Sequence, residues 1–251
     1  MSGLRTEPVS GLITEPVSRL STESMSGLIQ HEVVILAAMG SEVAPLNRHL
    51  PGVPIFATGV DKVAAAAVTA TVIALHAPKA IVFVGVAGGL AADLKQLAVL
   101  IATDALQWDV DITPINGGEV GTLNDGRRAI ALDAIGSRLA LAAALELGLP
   151  ARAGRVVTGD SFLASADKAA WLRETFAGDA VEMEGAAALQ VAHDHGVPMV
   201  LLRVISDGAG DAAALSYSDF LPQAAERAAL VAAAFLPRWL EQLRNPSNGA
   251  Q

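Results

Sequence analysis

From His31 onward, the sequence alternates between short runs rich in Val and Ile and longer stretches rich in Ala and Leu. The short runs have the length and β-branched content of buried strands, and the longer stretches have the length of helices. This alternation is typical of an α/β domain whose central sheet is parallel or mixed. The predicted strands are 32–38, 79–85, 97–105, 154–159 and 198–206, and the predicted helices are 41–50, 62–76, 133–148, 165–176, 185–196 and 219–243.

The composition limits the class of protein. The 251 residues, 52% of them hydrophobic, suffice for one well-buried domain. The apolar runs are interrupted, for example at Pro78 and Lys79, before they reach the roughly 18 residues of a membrane helix. A net charge of -9 without a Lys/Arg cluster argues against a nucleic-acid partner, and the lack of cysteine excludes disulfides and Cys nucleophiles. Because the first residues also lack the apolar core of a signal peptide, we expect a cytoplasmic protein that binds a small molecule.

The first 30 residues differ from the rest of the chain. Related octapeptides, SGLRTEPV, SGLITEPV and SRLSTESM, follow one another from Ser2 and are too short and too polar to bury a core. We predict a poorly ordered tail over residues 1–30, one domain over 31–244 and a second tail over 245–251. Met25 is a hypothetical alternative start of translation, which N-terminal sequencing of the native protein would test.

Chemically suggestive residues lie at the ends of several predicted strands. Ligands of α/β folds bind at the carboxyl ends of strands, and four segments occupy such positions. They are AAMGSE (37–42), GVAGGL (85–90), TGDSFL (158–163) and RVISD (203–207). A fifth segment, VEMEG (181–185), is predicted to be extended and to lead into a helix. The fold rule brings all five to one edge of the sheet, although they are far apart in the sequence.

Four carboxylates in these segments are candidates for chemistry. Glu182 and Glu184 point to the same side of an extended segment, where a carboxylate can accept two vicinal sugar hydroxyls, although both also suit the first turn of a helix. Asp207 ends an apolar strand, where desolvation would raise its pKa and make it a general acid; a turn or helix cap is the alternative. Glu42 has either a catalytic role or a first-turn position in a helix capped by Ser41.

Several familiar chemistries lack their motifs in this sequence. GVAGGL has neither the G-x-G-x-x-G spacing of a dinucleotide site nor the Lys-Ser/Thr of a P-loop, so its glycines are expected to allow a close approach of backbone to a ligand. His193 and His195 have no third ligand candidate nearby, and we predict no metal site. The sequence has no G-x-S-x-G elbow, which argues against Ser-His-Asp hydrolysis.

Taken together, the segments resemble the nucleoside phosphorylase and nucleosidase superfamily, and most of all its 5′-methylthioadenosine/S-adenosylhomocysteine nucleosidase branch. The resemblance covers about residues 32–240 and rests on the order AAMGSEV, GVDKVAAA, VGVAGGL, TGDSFL, VEMEGAA, RVISD. It implies a three-layer α/β domain with a central mixed sheet flanked by helices, and adenine release by hydrolysis of an N-ribosidic bond without a cofactor. It also implies nucleoside catabolism and methionine salvage, and a homodimer in which residues 107–123 face the partner.

Carried over residue by residue, the resemblance also implies roles in the reaction. Asp207 would protonate N7 of the adenine leaving group, Glu42 would activate the attacking water, and Glu184 would bind the ribose hydroxyls. Cleavage of an N-ribosidic bond builds positive charge on the sugar, and an acid paired with a carboxylate suits that chemistry independently of the family. The other residues that the resemblance brings to the substrate are Met39, Val60, Gly88, Phe162, Leu163, Glu182, Met183, Ser206 and Tyr217.

The sequence leaves alternatives open around this reaction. Phosphorylases of the family hold phosphate with arginines near the first glycine turn, where this chain has Glu42, and Arg203 is more simply a structural ion-pair partner, so water is the expected nucleophile. Family members often carry a glycine in place of Asp61 and a Gly-Asp pair in place of Leu97-Ala98, which we expect to be structural substitutions. They also often carry a histidine in place of Trp108, in a segment that approaches the sugar or the 5′ group, and this leaves the substrate less defined than the reaction. A futalosine-like or other modified nucleoside, a purine nucleoside phosphorylase and a non-catalytic ligand-binding relative are the alternatives.

Overall fold

The computed structural model of the chain describes residues 31–210 and 213–245. The predicted N-terminal tail, and the C-terminal tail beyond Asn245, lie outside the described residues. In chain order the elements are β1 (Val33–Ala37), α1 (Gly40–His49), β2 (Ile55–Ala57), α2 (Lys62–His76), β3 (Ala80–Gly89), β4 (Val99–Gln107), α3 (Thr113–Asn116), β5 (Ile130–Ala131), α4 (Ala134–Glu146), β6 (Ala151–Thr158), α5 (Ala166–Phe176), β7 (Ala180–Glu182), α6 (Gly185–Asp194), β8 (Met199–Asp207) and α7 (Ala213–Arg244).

The strands of the described residues form one mixed sheet. β1 pairs in parallel with β2 on one side and β3 on the other, and β3 pairs in parallel with β8. β4 pairs in parallel with β6 and antiparallel with β5 and β8. Because β7 pairs with both β6 and β3, the strands β3, β8, β4, β6 and β7 form a closed ring from which β1 and β2 extend.

Helices cover both faces of this sheet. Successive residues of a strand point to opposite faces. Ile35 and Val82 therefore lie in a core shared with α1, α4 and α7, whereas Leu36 and Phe83 lie in a core shared with α2 and α6. Burial on both faces explains why these strands are continuous apolar runs in the sequence. The predicted class, a central mixed sheet flanked by helices, is confirmed.

Element boundaries differ from the predictions where tertiary contacts extend an element. β3 continues to Gly89, so the GVAGG segment is strand, held by partners in β7 and β8. α1 begins at Gly40 with Met39 rather than Ser41 as its N-cap, and α7 begins at Ala213 rather than at residue 219. The pattern does not predict β2, β5 or α3, because each spans four residues or fewer. Across 31–210 and 213–245, we find no helix with the length and apolarity needed to cross a membrane.

Candidate active site

A cavity of about 340 Å³ opens at the carboxyl ends of β1, β3 and β8, which run parallel to one another. This is the edge at which α/β folds bind ligands, and the volume suits a small molecule. All of the predicted site residues except Leu163 line the cavity. The structure therefore brings together side chains that the sequence separates by up to 178 positions, as between Met39 and Tyr217. Their roles in a reaction stay predictions at this point.

Glu42 enters the cavity from the first turn of α1, directly after β1. The Met39 N–H donates to its Oε2 at 2.9 Å, and the Val86 N–H donates to its Oε1 at 3.0 Å. A Cβ at Gly85 would lie 2.9 Å from Oε1, so glycine is needed there to admit the carboxylate. Burial raises the pKa of Glu42, and the positive charge of Arg203 opposes the rise. Glu42 is thus a buried carboxylate in a fixed orientation.

Asp207 is the last residue of β8 and is 3% exposed. The Ala209 N–H donates to its Oδ1 at 2.8 Å, and the Ser206 hydroxyl donates to its Oδ2 at 2.9 Å. Gly88 admits this carboxylate to the cavity, because a Cβ there would lie 2.9 Å from Oδ1. Burial raises the pKa of Asp207 against the lowering effect of these two hydrogen bonds. The side chain therefore keeps a proton at higher pH than an ordinary aspartic acid.

Glu182, the last residue of β7, is held entirely by protein groups. The Arg203 Nη2 donates to its Oε2 at 2.6 Å, and both side chains of this ion pair are at most 2% exposed. The Gly185 N–H donates to the same oxygen at 2.7 Å, the Glu184 N–H donates to it at 3.2 Å, and the Thr158 hydroxyl donates to Oε1. Glu182 touches the cavity, but its oxygens are committed to the start of α6 and to β8.

Glu184, two residues later, has far fewer partners. It occupies the N-cap position of α6 and is 7% exposed. The Asp61 N–H donates to its Oε1 at 3.1 Å, and no described residue donates to its Oε2. Burial, together with the negative charge of Glu182, raises the pKa of Glu184 to about 8. One oxygen of Glu184 is therefore left to the contents of the cavity.

Apolar and aromatic side chains form another part of the cavity wall. The Tyr217 hydroxyl donates to the Met39 Sδ at 3.2 Å, and the Tyr217 ring meets Phe162 edge to face with 5.6 Å between centroids. Val60 and Phe162 are 44% and 47% exposed at the mouth. Burial raises the pKa of Tyr217 to about 12, and the charges of three cavity carboxylates add to that effect. This wall offers contact to an apolar group and keeps the tyrosine protonated.

Two aromatic or apolar positions lie beside the cavity rather than in it. Leu163 lines an adjoining recess, which shares Phe162 and Met183 with the main cavity. Trp108 is absent from both linings: it is buried against Gly159 and makes an edge contact with Trp171 at 6.2 Å. Trp108 therefore supports the turn after β6 and does not contact the space open to a ligand.

Sequence reasoning missed some of the groups that hold the site together. The N–H of Val86 orients Glu42, but a backbone donor leaves no residue-type signal in a sequence. Thr158 and Asp61 lie in segments that the sequence singled out, yet their hydrogen bonds to Glu182 and Glu184 depend on contacts between distant loops. In the described parts of the chain, no group of three or more His, Cys, Asp or Glu residues is arranged to hold a metal ion.

The lining combines four carboxylates with an apolar wall. Among the described residues that line the cavity, Glu42, Glu182, Glu184 and Asp207 are the charged ones, and none is Lys or Arg. Glu42 lies against Gly85 and Asp207 lies against Gly88, two anchor points roughly 10 Å apart along an extended strand. The arrangement can hold a neutral polar ligand with hydroxyl groups between an acid and a second carboxylate.

Comparison with known proteins identifies the family. The model of the phosphorylase superfamily matches residues 50–237. The 5′-methylthioadenosine/S-adenosylhomocysteine nucleosidase of Haemophilus ducreyi is 34% identical over 206 residues, which cover 82% of this chain and 88% of that protein.

Solved structures show the same likeness. The Helicobacter pylori 5′-methylthioadenosine/S-adenosylhomocysteine nucleosidase in complex with a pyrrolidinol ligand has a TM-score of 0.79 and 28% identity, covering 84% of this chain and 99% of that one. The Helicobacter pylori futalosine hydrolase also has a TM-score of 0.79 and 28% identity, covering 83% and 98%. The chain belongs to the phosphorylase superfamily and, within it, to the 5′-methylthioadenosine/S-adenosylhomocysteine nucleosidase family.

Proposed function

We propose that this protein hydrolyses the N-ribosidic bond of 5′-methylthioadenosine, S-adenosylhomocysteine or both, and of 5′-deoxyadenosine as a further substrate, releasing adenine. The observation that carries the proposal is the placement of Glu42, Glu184 and Asp207 around one cavity whose described lining has no cation. A phosphate dianion would find no Lys or Arg in this lining to bind it, whereas water needs no cation. The nucleosidase relatives support the same reaction.

Asp207 is the proposed general acid. A neutral purine is a poor leaving group until its N7 accepts a proton, and a carboxyl group whose pKa is raised by burial keeps its proton at higher pH than an ordinary aspartic acid. Ser206 and the Ala209 N–H fix the orientation of the carboxyl group. Such help by a positioned acid is worth about 10²- to 10⁴-fold in rate.

Glu42 is the proposed group that orients or deprotonates the attacking water. Two backbone N–H donors hold its carboxylate, and each oxygen has a second lone pair with which to accept a bond from water. Its anchor at Gly85 lies roughly 10 Å along β3 from the anchor of Asp207 at Gly88. An acid and a base that act on one sugar from separate positions are the arrangement that inverting glycosidases use.

The two glutamates of VEMEG have different roles in the binding of the sugar. Glu184, with its unshared oxygen, accepts the ribose hydroxyls, and Glu182 holds the start of α6 so that Glu184 is correctly placed. Met183 packs beneath the ribose. The 2′- and 3′-hydroxyls of an adenosine ligand lie next to each other, and a single carboxylate can accept a hydrogen bond from each of them.

The remaining lining residues contact the base and the 5′ group. Phe162 stacks near the base, and the backbone of Leu163 bonds to the edge of the base. The apolar wall of Met39, Val60 and Tyr217 suits a thioether at the 5′ position better than a hydroxyl or a phosphate. These assignments rest on the resemblance and on where the side chains lie.

We also propose a cytoplasmic homodimer that acts in nucleoside catabolism and methionine salvage. Residues 107–123 form the proposed partner-facing loop, in which Ile115 is 89% exposed. Covering this side chain in a contact between two copies would remove its apolar surface from water. The relatives support a small-molecule nucleoside substrate.

A second candidate, hydrolysis of a futalosine-like nucleoside, is favoured by one observation. The futalosine hydrolase structure matches this chain as well as the nucleosidase structure does, with the same TM-score and identity. The two substrate classes differ in the 5′ substituent, which the apolar wall would contact. A purine nucleoside phosphorylase is disfavoured by the carboxylate lining.

The decisive experiment measures adenine release from 5′-methylthioadenosine with and without phosphate, and identifies the sugar product by mass. Free methylthioribose, formed at a rate independent of phosphate, is the expected product. Phosphate-dependent formation of methylthioribose 1-phosphate would mean that Glu42 does not exclude phosphate and that the protein is a phosphorylase. Absence of adenine release, with release of the base from a futalosine-like nucleoside, would assign the second candidate.

A further inference from the structure

Three loops meet beside the ribose-binding end of the cavity, and a closed set of hydrogen bonds joins them. Lys62 at the start of α2 donates from Nζ to Asp109 Oδ1 at 2.6 Å, and from its N–H to Asp160 Oδ1 at 2.8 Å. The N–H of Asp160 donates to Asp109 Oδ2 at 2.9 Å. We call these three residues, Lys62, Asp109 and Asp160, the clasp. They connect the loops that follow β2, β4 and β6.

The clasp differs from the ion pairs on the outer surface. The side chains of Lys62 and Asp109 are 16% and 22% exposed, whereas those of Arg48 and Glu226 are 62% and 40% exposed. Partial removal from water strengthens a charge pair and reduces its screening by salt. A network that also bonds two backbone N–H groups restricts the loops themselves and not only the side chains.

Asp61, the residue before Lys62, has a backbone conformation that suits glycine. Its φ of 99° and ψ of 162° lie in a region that a residue with a Cβ rarely occupies. Its N–H donates to Glu184 Oε1 at 3.1 Å, and its own carboxylate caps α2 by accepting from the Ala64 N–H at 2.7 Å. Such a conformation persists only where the surroundings over-determine it. Among the described residues, Asp61 is the one whose N–H donates to the Glu184 carboxyl group.

We propose that Lys62, Asp109 and Asp160 are positioning residues that hold residue 61 in this conformation and so fix Glu184 for the ribose hydroxyls. The clasp also fixes the loop that carries Phe162, because Asp160 begins that loop. This inference rests on the proposed function for its kinetic consequence, and on geometry alone for the restraint of the loops. Lys62, Asp109 and Asp160 do not line the cavity or its adjoining recess.

The coupling runs through consecutive backbone groups at the start of α2. The N–H of Asp61 points at Glu184, and the next N–H, of Lys62, points at Asp160. Neither donor can move without disturbing the other, because the two peptide groups share residue 61. The N–H of residue 62 loses its acceptor if Asp160 is removed, or if Asp160 moves away because Asp109 has lost its ion pair with Lys62. Residue 61 can then relax towards an ordinary backbone conformation, which turns its N–H away from Glu184.

Paired variants test the kinetic consequence. Lys62→Met removes the ammonium group and Asp160→Ala removes the acceptor, whereas Lys62→Arg and Asp160→Asn retain a donor and an acceptor. Lys79→Met is the matched control, because Lys79 pairs with Glu32 on an exposed surface. We expect Lys62→Met and Asp160→Ala to lower kcat/KM on 5′-methylthioadenosine by on the order of tenfold, since small misplacements of a binding group have large effects. The loss on the 2′-deoxy counterpart should be smaller, and the other three variants should stay near the parent.

Hydrogen exchange of the ligand-free protein tests the restraint without using activity. Amides of residues 58–62 and 159–163 should exchange at least about tenfold faster in Lys62→Met and Asp160→Ala than in the parent, and should be unaffected in Lys79→Met. Unchanged exchange would overturn the clasp whatever the kinetics show. Equal losses of kcat/KM on both substrates would overturn its connection to Glu184. A parent protein that releases no base would refute the proposed function, while the exchange result would still decide the clasp.

Discussion

Glu182 and Glu184 both bring a buried carboxyl group to the cavity, but the protein surrounds the first with hydrogen-bond donors and gives the second very few. Glu182 touches the cavity, but it accepts from Arg203, Thr158 and two backbone N–H groups, and its side chain is 2% exposed. Facing the cavity, Glu184 has one described protein donor, although Met183 alone separates it from Glu182 in the sequence. Saturating a buried carboxylate makes it part of the scaffold, and leaving an oxygen unshared makes it available to a ligand.

The hydrogen bonds of Glu182 also explain why the charged side chain of Arg203 is buried although it does not line the cavity. Removing Arg203 and Glu182 from water is costly, and a fully buried ion pair is therefore weak evidence for stability in itself. Its geometric effect is clearer, because Glu182 joins the end of β7 to the first N–H of α6, from which Glu184 projects. These hydrogen bonds thus define where the carboxyl group of Glu184 lies at the cavity.

The largest expected effect is the loss of kcat when Asp207, the proposed acid, is replaced, compared with replacement of a residue that only supports it. Asp207→Asn keeps a side chain that can accept the bond from the Ala209 N–H, but it cannot deliver a proton to the base. We expect kcat to fall by about 10²- to 10⁴-fold while binding of adenosine analogues stays measurable by calorimetry. Ser206→Ala, which removes only a supporting hydrogen bond, is the matched variant and should lose far less. Near-normal turnover of Asp207→Asn would exclude it as the acid.

The next effect is a difference in the free energy of unfolding between variants of the two glutamates. Glu182→Gln leaves Arg203 as an uncompensated buried charge, which is expected to lower the free energy of unfolding by about 3 kcal/mol or more. Glu184→Gln should cost little or should stabilise the fold, since burial already favours its neutral form. Urea unfolding at pH 7 compares the two variants. Equal destabilisation would contradict the division into scaffold and ligand-facing carboxylates.

A smaller effect concerns the choice of sugar. Glu184→Gln replaces a carboxylate that accepts two hydroxyls by an amide with a single acceptor oxygen. We expect the parent to favour 5′-methylthioadenosine over its 2′-deoxy counterpart, and the variant to lose about 1–3 kcal/mol of that preference, as measured by the ratio of kcat/KM values. Unchanged selectivity would show that another residue binds the 2′-hydroxyl.

Much of the fold could be predicted from local pattern, and the exceptions share a cause. The apolar runs that became β1 and β8 are buried on both faces, so their residue types identify them as strands. The glycine-rich end of β3 has low strand propensity and is extended only because β7 and β8 pair with it. No window of sequence contains those partners, and the closed ring of strands is for the same reason not visible in the pattern.

The candidate site also has a part that could be predicted from the sequence and a part that depends on distant contacts. The segments that carry Glu42, Glu184 and Asp207 could be placed at one sheet edge by the strand-end rule, and the family resemblance supplied their roles. The division of labour between Glu182 and Glu184 could not be predicted, because in an extended segment both point to the same side. It is decided by Arg203 and by the N–H of Asp61, which approach from other elements.

The last expected effect is the pH dependence of stability that Glu184 contributes. Burial and the negative charge of Glu182 raise the pKa of Glu184 from 4.5 in the unfolded chain to about 8. Between these values the folded protein binds the proton more tightly, so this group contributes stability below pH 4.5 that is lost as the pH rises through 8. Glu184→Gln removes the contribution, and its free energy of unfolding relative to the parent should therefore increase from pH 5 to pH 9. Taking the difference from the parent cancels the other titrating groups to first order. A difference that is constant over this range would mean that Glu184 is charged in the empty cavity, and that its unshared oxygen is compensated by water rather than by a retained proton.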